Sequence, residues 1–123
     1  TNDLMQYFFA ADRGNPRVSE RYDILSAAAL RFLKRIRDDA DAAALQVSIC
    51  GEAAGRPLEA IAFAALGFRR LSMPASGIGP VKRLILSMDV REAAAAVTKM
   101  LRSDGPTIRP ELTEFARARG YAL

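Results

Sequence analysis

Two strand-like segments with one helix-like segment between them constrain this fold most. Residues 46–50 alternate, with Val47 and Ile49 on one face, and residues 68–73 predict a second short strand. Between them, Pro57 fits the first position of a helix and Gly67 fits the residue after its end. Strand, helix and strand in this order predict a parallel pair of strands joined by a crossover helix.

Helical segments surround this unit. Ser26 fits an N-cap, and a long helix is predicted over residues 26–45. Its stripe has the spacing of one helical face and consists of Ala29, Leu33, Ile36, Ala40 and Ala43. Earlier in the chain, Leu4 to Ala11 is an apolar run that ends in the polar turn Asp12 to Pro16.

Three further helices are predicted after the second strand. Residues 74–79 indicate a turn-rich loop, and Pro80 is predicted to open the third helix. Asp89 and Glu92 have the spacing of a capping box and begin the fourth, which Gly105 and Pro106 interrupt. The last begins at Pro110 and ends at Gly120.

The order of elements favours one end of a larger α/β barrel. Two or three short strands do not close a barrel, and parallel sheets need both faces covered. The chain opens at Thr1 without an initiator methionine or a leading strand. We therefore expect residues 1–123 to be an excised, incomplete part of one barrel domain.

Composition excludes several classes of chemistry. The 123 residues contain one cysteine, Cys50, so an internal disulfide and a multi-cysteine zinc site are excluded. Histidine is absent, which removes histidine base catalysis, ligation and phosphorylation from this chain. A bound metal is then expected to be a hard cation, with Mg²⁺ the leading candidate. No apolar run approaches the ~20 residues of a membrane span, and no signal peptide is evident, so a cytoplasmic protein is expected.

The net charge of +4 comes mainly from two basic clusters. Acidic residues interleave with both, which favours solvated helix faces, and we expect no nucleic-acid binding. The clusters are Arg31, Lys34, Arg35 and Arg37, and Arg109, Arg117 and Arg119.

Chemically useful side chains follow the predicted strands. In a barrel, active-site groups lie at the C-terminal ends of strands and in the loops after them. Asn2 and Asp3 open the chain where a strand would end, residues 50–52 follow the first complete strand, and Ser72 and Met73 end the second. Arg13 lies in a loop that can reach the same mouth.

An ordered set of motifs carries a family resemblance along the whole chain. The motifs are Thr1-Asn2-Asp3-Leu4, Gln6-Tyr7, Ala10-Ala11-Asp12-Arg13-Gly14-Asn15, Cys50-Gly51-Glu52-Ala53-Ala54-Gly55, Leu71-Ser72-Met73 and Ile78-Gly79-Pro80-Val81-Lys82. Together they resemble the bacterial phosphoenolpyruvate–protein phosphotransferases, enzyme I of the phosphotransferase system. The resemblance implies the C-terminal portion of a phosphoenolpyruvate-binding (β/α)8 TIM barrel, mostly helical as a fragment. The sequence from Ser76 to Lys82 favours the nitrogen-regulatory branch.

The resemblance also implies roles for particular residues. Enzyme I passes a phosphoryl group from phosphoenolpyruvate to a histidine on a separate domain, for relay to a histidine phosphocarrier protein, and releases pyruvate. Asp3 is then a magnesium ligand and substrate contact, Asn2 and Arg13 contact phosphate, and Cys50 is the proton donor. Glu52 is expected to support the loop. The family forms homodimers through this region, so a homodimer is expected.

Other interpretations stay open at this point. Pyruvate phosphate dikinases and phosphoenolpyruvate synthases share the Asn2-Asp3 and Cys50-Gly51-Glu52 elements, whereas the stretch from Ala10 to Asn15 favours enzyme I. The chain also lacks the family's other arginines, metal-binding carboxylate and phosphohistidine, so we expect it not to turn over alone. A self-standing helical binding module that meets an acidic partner is the alternative from a different class.

Overall fold

Helices make up most of the chain, and two very short strands lie among them. The computed structural model describes residues 1–18, 21–102 and 105–123. In chain order the elements are α1 (Asn2–Phe9), α2 (Ala27–Ala42), β1 (Ile49–Cys50), a 3₁₀ helix (Glu52–Gly55), α3 (Pro57–Ala65), β2 (Leu71–Ser72), α4 (Ala75–Ser87), α5 (Val90–Met100) and α6 (Arg109–Ala118). Within these described ranges, no helix combines the length and the apolar character needed to cross a membrane.

The two strands pair in parallel, with Ile49 opposite Leu71 and Cys50 opposite Ser72. Because α3 connects them, the predicted strand–helix–strand unit is confirmed. The strands are shorter than the predicted segments 46–50 and 68–73. The ladder begins only where the Ile49 N–H donates to the Arg70 carbonyl at 3.0 Å, and Ile49 is also the point at which the segment enters the core.

The connecting helix α3 forms the centre of the core. Ala60, Ile61, Ala62 and Phe63 are fully buried, and α3 packs against α4, α5 and α6. A helix that is apolar on all sides is typical of such a central position. Pro57 at its first turn confirms the predicted start of the helix.

Side-chain caps set the beginnings of two other helices, as the sequence predicts. Ser26 Oγ accepts a hydrogen bond from the Ala29 N–H at 3.2 Å and begins α2. Asp89 accepts from the N–H groups of Arg91 and Glu92, at 2.8 and 3.2 Å, and begins α5. Such caps satisfy N–H groups that have no partner inside the helix. The helix α2 ends at residue 42, three residues before the predicted boundary.

The predicted loop over residues 74–79 is wrong, because α4 already begins at Ala75 and Pro80 lies inside it. Gly77 is buried, and a Cβ atom there would lie 2.7 Å from the Gly55 Cα. The glycine is therefore needed for close packing of α4 against the 3₁₀ helix. Pro80 is an interior residue of α4, where it removes one backbone hydrogen bond of the helix.

The apolar run that begins at Leu4 is also helical. It belongs to α1, whose Met5 is fully buried, and the chain turns after Phe9 through Ala10 in the left-handed conformation. This helix brings Asn2 and Asp3 into a first helical turn. At the other end of the chain, α6 begins at Arg109, one residue before the predicted Pro110.

Candidate active site

The first residue of the chain lies against the end of β1. The Thr1 backbone nitrogen donates to the Cys50 carbonyl at 2.6 Å, and Thr1 Oγ1 donates to the same oxygen at 2.9 Å. Gly51 makes this approach possible, since a Cβ atom there would lie 2.7 Å from Thr1 Oγ1. Its φ of +120° also lies in a region that side chains rarely adopt. The start of α1 is thereby fixed beside the loop that follows Cys50.

Asn2 is held from two sides. Its side-chain amide donates to the Glu52 carboxylate, and its carbonyl accepts from the Tyr22 hydroxyl. The hydrogen bond from Asn2 holds the pKa of Glu52 below its ordinary value. Burial raises the pKa of Tyr22, which keeps the phenol as the donor. The expected supporting role of Glu52 agrees with these contacts.

A cleft of about 260 Å³ opens beside this junction. The structure brings Asn2 and Arg13 together in its wall, although they come from different segments. The lining residues are Thr1, Asn2, Arg13, Tyr22, Ile24, Glu52, Ala53, Arg56 and Arg109. Two of the four residues proposed from the sequence therefore share one cleft.

The other two predicted site residues lie next to the cleft without lining it. Cys50 is exposed at the end of β1, two residues before Glu52. An exposed thiol argues against a role as a small core residue. Asp3 is exposed in the first turn of α1, next to Asn2. Burial is the main cause of the raised pKa of Tyr22, and the negative charge of Asp3 raises that pKa further.

Arg13 is presented by a turn after α1. The Arg13 N–H donates to Gln6 Oε1 at 3.3 Å, and the Gly14 N–H donates to Asp12 Oδ1 at 2.8 Å. These local bonds fix the backbone while the Arg13 side chain stays exposed in the cleft wall. A guanidinium in this setting suits the binding of a planar or tetrahedral oxyanion.

A partly buried ionic cluster at the cleft was not foreseen from the sequence. Arg109 Nη2 contacts Asp23 Oδ1 at 2.8 Å and Glu59 Oε1 at 3.0 Å. Burial opposes ionisation of Asp23, but hydrogen bonds from Arg109 and Thr107 outweigh it and lower its pKa. The sequence carried one signal, because Glu59 is the acidic residue in the otherwise apolar helix α3 and is 2% exposed.

The predicted solvated basic faces are only partly correct. On α2, Lys34, Arg35 and Arg37 pair with acidic residues four positions later on the same helix. Arg109 departs from the prediction, because its side chain is 40% exposed and bonded to two carboxylates.

The residues fit a hard cation only as one part of a site. Among the residues that the structure describes, no group of three His, Cys, Asp or Glu side chains could hold a metal ion. Asp3 supplies a single exposed carboxylate beside the cleft. Mg²⁺ usually takes one or two protein carboxylates together with substrate phosphate oxygens and water. The chain therefore offers one suitable ligand.

The end of β2 differs in chemistry. Ser72 and Met73 border a mainly apolar groove of about 520 Å³, completed by Leu71, Ile78, Val81 and Lys82. Its one charged group is Lys82, whereas arginines and carboxylates gather at the end of β1. Of the strand ends that the sequence proposed, the end of β1 holds the polar cleft.

Comparison with known proteins agrees with this arrangement. Residues 1–90 match the family described as PEP-utilising enzyme, PEP-binding domain, where PEP is phosphoenolpyruvate. The match covers most of the chain, and the chain belongs to this family. The cleft and the ends of both strands lie in the matched part, apart from the contribution of Arg109.

Several curated relatives extend the similarity. A phosphoenolpyruvate-protein phosphotransferase of Borreliella burgdorferi is 39% identical over 85% of the chain and 18% of its own length. A Salmonella typhimurium protein named phosphoenolpyruvate-dependent phosphotransferase system is 37% identical over 98% of the chain and 16% of its own length. A phosphoenolpyruvate-protein phosphotransferase of Haloferax volcanii is 38% identical over 85% of the chain. The chain thus spans less than a fifth of these relatives, and the predicted family resemblance is confirmed.

Proposed function

We propose that this chain is the phosphoenolpyruvate-binding part of a phosphoenolpyruvate–protein phosphotransferase. The whole protein would transfer the phosphoryl group to a histidine, pass it on to a histidine phosphocarrier protein and release pyruvate. The observation that carries the proposal is the meeting of Asn2 and Arg13 in one cleft beside Cys50, in a chain of this family. The names of the relatives support the enzyme over a helical binding module.

The cleft offers complementary contacts for a phosphate. The Arg13 guanidinium presents parallel N–H groups that match two phosphate oxygens. A carboxamide has two N–H donors, so the bond from Asn2 to Glu52 leaves one for a third oxygen. Both groups would also stabilise charge that develops on the phosphoryl oxygens during transfer.

The proposed reaction has two bond-making steps. The bond between the phosphorus and the enol oxygen breaks, and the phosphoryl group passes to a histidine nitrogen. Because this chain contains no histidine, the acceptor must come from elsewhere in the protein. The enolate left behind takes a proton on its methylene carbon, and Cys50 is the proposed donor. A thiol can donate its proton to carbon and take one back from water.

Bound Mg²⁺ would supply positive charge to the phosphate, with Asp3 as the one ligand that this chain contributes. The remaining positions would fall to the substrate, to water and to residues outside this chain. We further propose that the parallel pair β1–β2 is part of a (β/α)8 barrel. Its open strand edges would then pair with further strands.

Finer aspects of the proposal follow from the resemblance. They are a cytoplasmic location, a homodimer and the nitrogen-regulatory branch. The sequence from Ser76 to Lys82 favours that branch. Exposed apolar side chains on α4, Ile78 and Leu86, are 55% and 79% exposed and are compatible with a covering partner. Light scattering that gave a monomer mass for the whole protein would contradict the homodimer.

The test of the function is phosphoryl transfer from labelled phosphoenolpyruvate to a histidine phosphocarrier protein, with Mg²⁺ present. Arg13→Ala should lower affinity for phosphoenolpyruvate by about ten-fold or more, since a hydrogen bond to a charged group contributes roughly 1.5–3 kcal/mol. Arg17→Ala is the matched control, because Arg17 is an exposed arginine in the same turn but lies outside the cleft wall.

Two results would contradict the proposal at different levels. No transfer by the wild-type protein would overturn the proposed function. Transfer with the same KM and rate in Arg13→Ala as in Arg17→Ala would leave the function standing and remove Arg13 from the site.

A further inference from the structure

Three polar contacts and one peptide bond connect the buried side of α3 with the candidate site. Glu59 Oε1 lies 3.0 Å from Arg109 Nη2, and the same nitrogen lies 2.8 Å from Asp23 Oδ1. Asp23 adjoins Tyr22, whose hydroxyl donates to the Asn2 carbonyl. We call this series, from Glu59 through Arg109, Asp23 and Tyr22 to Asn2, the relay.

The inner end of the relay is rigid. The Glu59 side chain is 3% exposed, and it lies on the most buried helix of the chain. A carboxylate in such a place needs a charged partner, because an unpaired buried charge is strongly unfavourable. Arg109 supplies most of that partnership, since the second arginine near Glu59, Arg56, is 4.0 Å away. The position of the Arg109 guanidinium is therefore fixed.

The segment that carries Asp23 depends on the same region of the chain. Thr107 Oγ1 donates to Asp23 Oδ2 at 2.5 Å, and the Ile108 N–H donates to the Leu25 carbonyl at 3.0 Å. The backbone around Thr107 also bridges to Ser26. The residues that begin α6 thus hold the stretch from Asp23 to Ser26 in place.

At the outer end, one hydroxyl reaches the site. Tyr22 is bonded to the carbonyl of Asn2 and packs against Phe9 of α1, with ring centroids 6.0 Å apart. A displacement of Asp23 therefore moves Tyr22, and with it the first turn of α1, where Asn2 and Asp3 lie. Arg109 lies outside residues 1–90, the part that matches the family.

We propose that Arg109, held by Glu59, is a positioning residue for the phosphate-binding Asn2 and couples the start of α6 to the candidate site. This inference rests on the proposed function for its effect on substrate, but not for the coupling itself. A side chain that acts through such contacts changes the geometry in which the substrate is held.

The chain offers a matched control at the other end of the same helix, where Arg119 directly follows α6. Arg119 Nη2 pairs with Glu92 Oε1 at 2.6 Å and ties α6 to α5. Like Arg109, it is a partly exposed arginine that joins α6 to another element, but it does not line the cleft. Arg119→Met therefore measures the loss of an ion pair at the end of α6 without a change in the relay.

The first measurement reports on Asn2 without any ligand. Asn2 and Asn15 are the asparagines of this sequence, so ¹⁵N-asparagine labelling reports two backbone N–H groups and two side-chain NH₂ groups from it. Loss of signals in Asn2→Ser assigns those of Asn2. Arg109→Met should shift the Asn2 signals and leave those of Asn15, whereas Arg119→Met should shift neither. Unshifted Asn2 signals in folded Arg109→Met protein would overturn the inference.

If Arg109→Met does not fold, Glu59→Gln tests the same contact, because Gln keeps the size and one acceptor oxygen of Glu. The Asn2 shift is again expected, and its absence overturns the inference. Arg109→Lys retains a charge that reaches one carboxylate, so it should give a smaller shift than Arg109→Met.

The second measurement separates positioning from general stability. The KM for phosphoenolpyruvate should rise about two- to thirty-fold in Arg109→Met, the range expected for coupling through a contact network, while kcat changes less. Arg119→Met should leave KM unchanged, and an equal rise in both variants would show a structural role only. If the wild-type protein does not use phosphoenolpyruvate, the proposed function fails, and the asparagine spectra still decide the coupling.

Discussion

The helix α3 and the cleft beside β1 are held in different ways. Residues 59–64 of α3 are all buried, and three other helices cover them. At the cleft, separate polar bonds join exposed or half-buried groups, such as Thr1 with Cys50 and Asn2 with Glu52. Many apolar contacts support each residue of α3, whereas one or two bonds position each group of the cleft.

This difference separates stability from chemistry. Buried apolar surface contributes most of the stabilising free energy of a fold, while surface loops carry the groups that bind and react. A substitution in α3 should therefore change the free energy of unfolding, and a substitution at the cleft should change activity. Substitutions of similar size in the two regions test that separation.

The largest effect is expected at Cys50. In the whole protein, Cys50→Ala should keep the fold and substrate binding but lower turnover by about 10²–10⁴-fold, the contribution typical of a general acid. The thiol is exposed, so its removal leaves no cavity in the core. The measurement is pyruvate formation at saturating phosphoenolpyruvate, together with urea denaturation of the same variant.

The stereochemistry of protonation sharpens this test. With phosphoenolpyruvate labelled chirally at the methylene carbon, the wild-type protein should add the proton to one face, and Cys50→Ala should lose that preference. One stereoisomer formed at a near-normal rate by the variant would show that Cys50 is not the acid.

The next largest effect is expected inside α3. Phe63 has no exposed surface, so Phe63→Ala should lower the free energy of unfolding by about 3–5 kcal/mol, through lost burial and the cavity left behind. Tyr7→Ala is the control, because Tyr7 is 80% exposed and surface changes usually stay within about 0.5 kcal/mol. Equal losses in urea denaturation would contradict the contrast between core and surface.

Local signals predicted much of the fold. Ser26 and Asp89 cap their helices with their own side chains, and the ring of Pro57 favours the start of α3 at that residue. Each of these signals acts within a few residues. Gly77 contributed to the wrong prediction of a loop over residues 74–79. A glycine is present there because α4 packs closely against Gly55, twenty-two positions earlier. A close approach between distant residues leaves no periodic trace in the sequence.

The same limit applies to the site. Asn2 and Arg13 could be proposed because they lie in short ordered motifs, and the structure places both in one cleft. Arg109 contacts Asp23, and it also contacts Glu59 on another helix. Neither partner is near Arg109 in sequence. The sequence therefore predicted Arg109 only as one member of a solvated basic cluster. The predicted roles of Asn2, Asp3, Arg13 and Cys50 are still predictions.

The smallest effect is expected at Ala10, which lies between the two regions at the end of α1. Its φ is 47°, in the left-handed region, and the Ala11 N–H reaches back to the Gln6 carbonyl at 3.1 Å. This closing pattern favours glycine, because a Cβ atom is strained there. Ala10→Gly should therefore raise the free energy of unfolding by about 0.5–1 kcal/mol.

Ala95→Gly is the matched control, since Ala95 is exposed in the interior of α5, where glycine should destabilise by about 1 kcal/mol. Urea denaturation measures both, and opposite signs are expected for the same chemical change. Because the backbone of Ala10 would keep its conformation, Arg13 should stay in the cleft and the KM for phosphoenolpyruvate should not change. A loss of stability like that of Ala95→Gly would show that the turn into the Arg13 segment does not hold this conformation in solution.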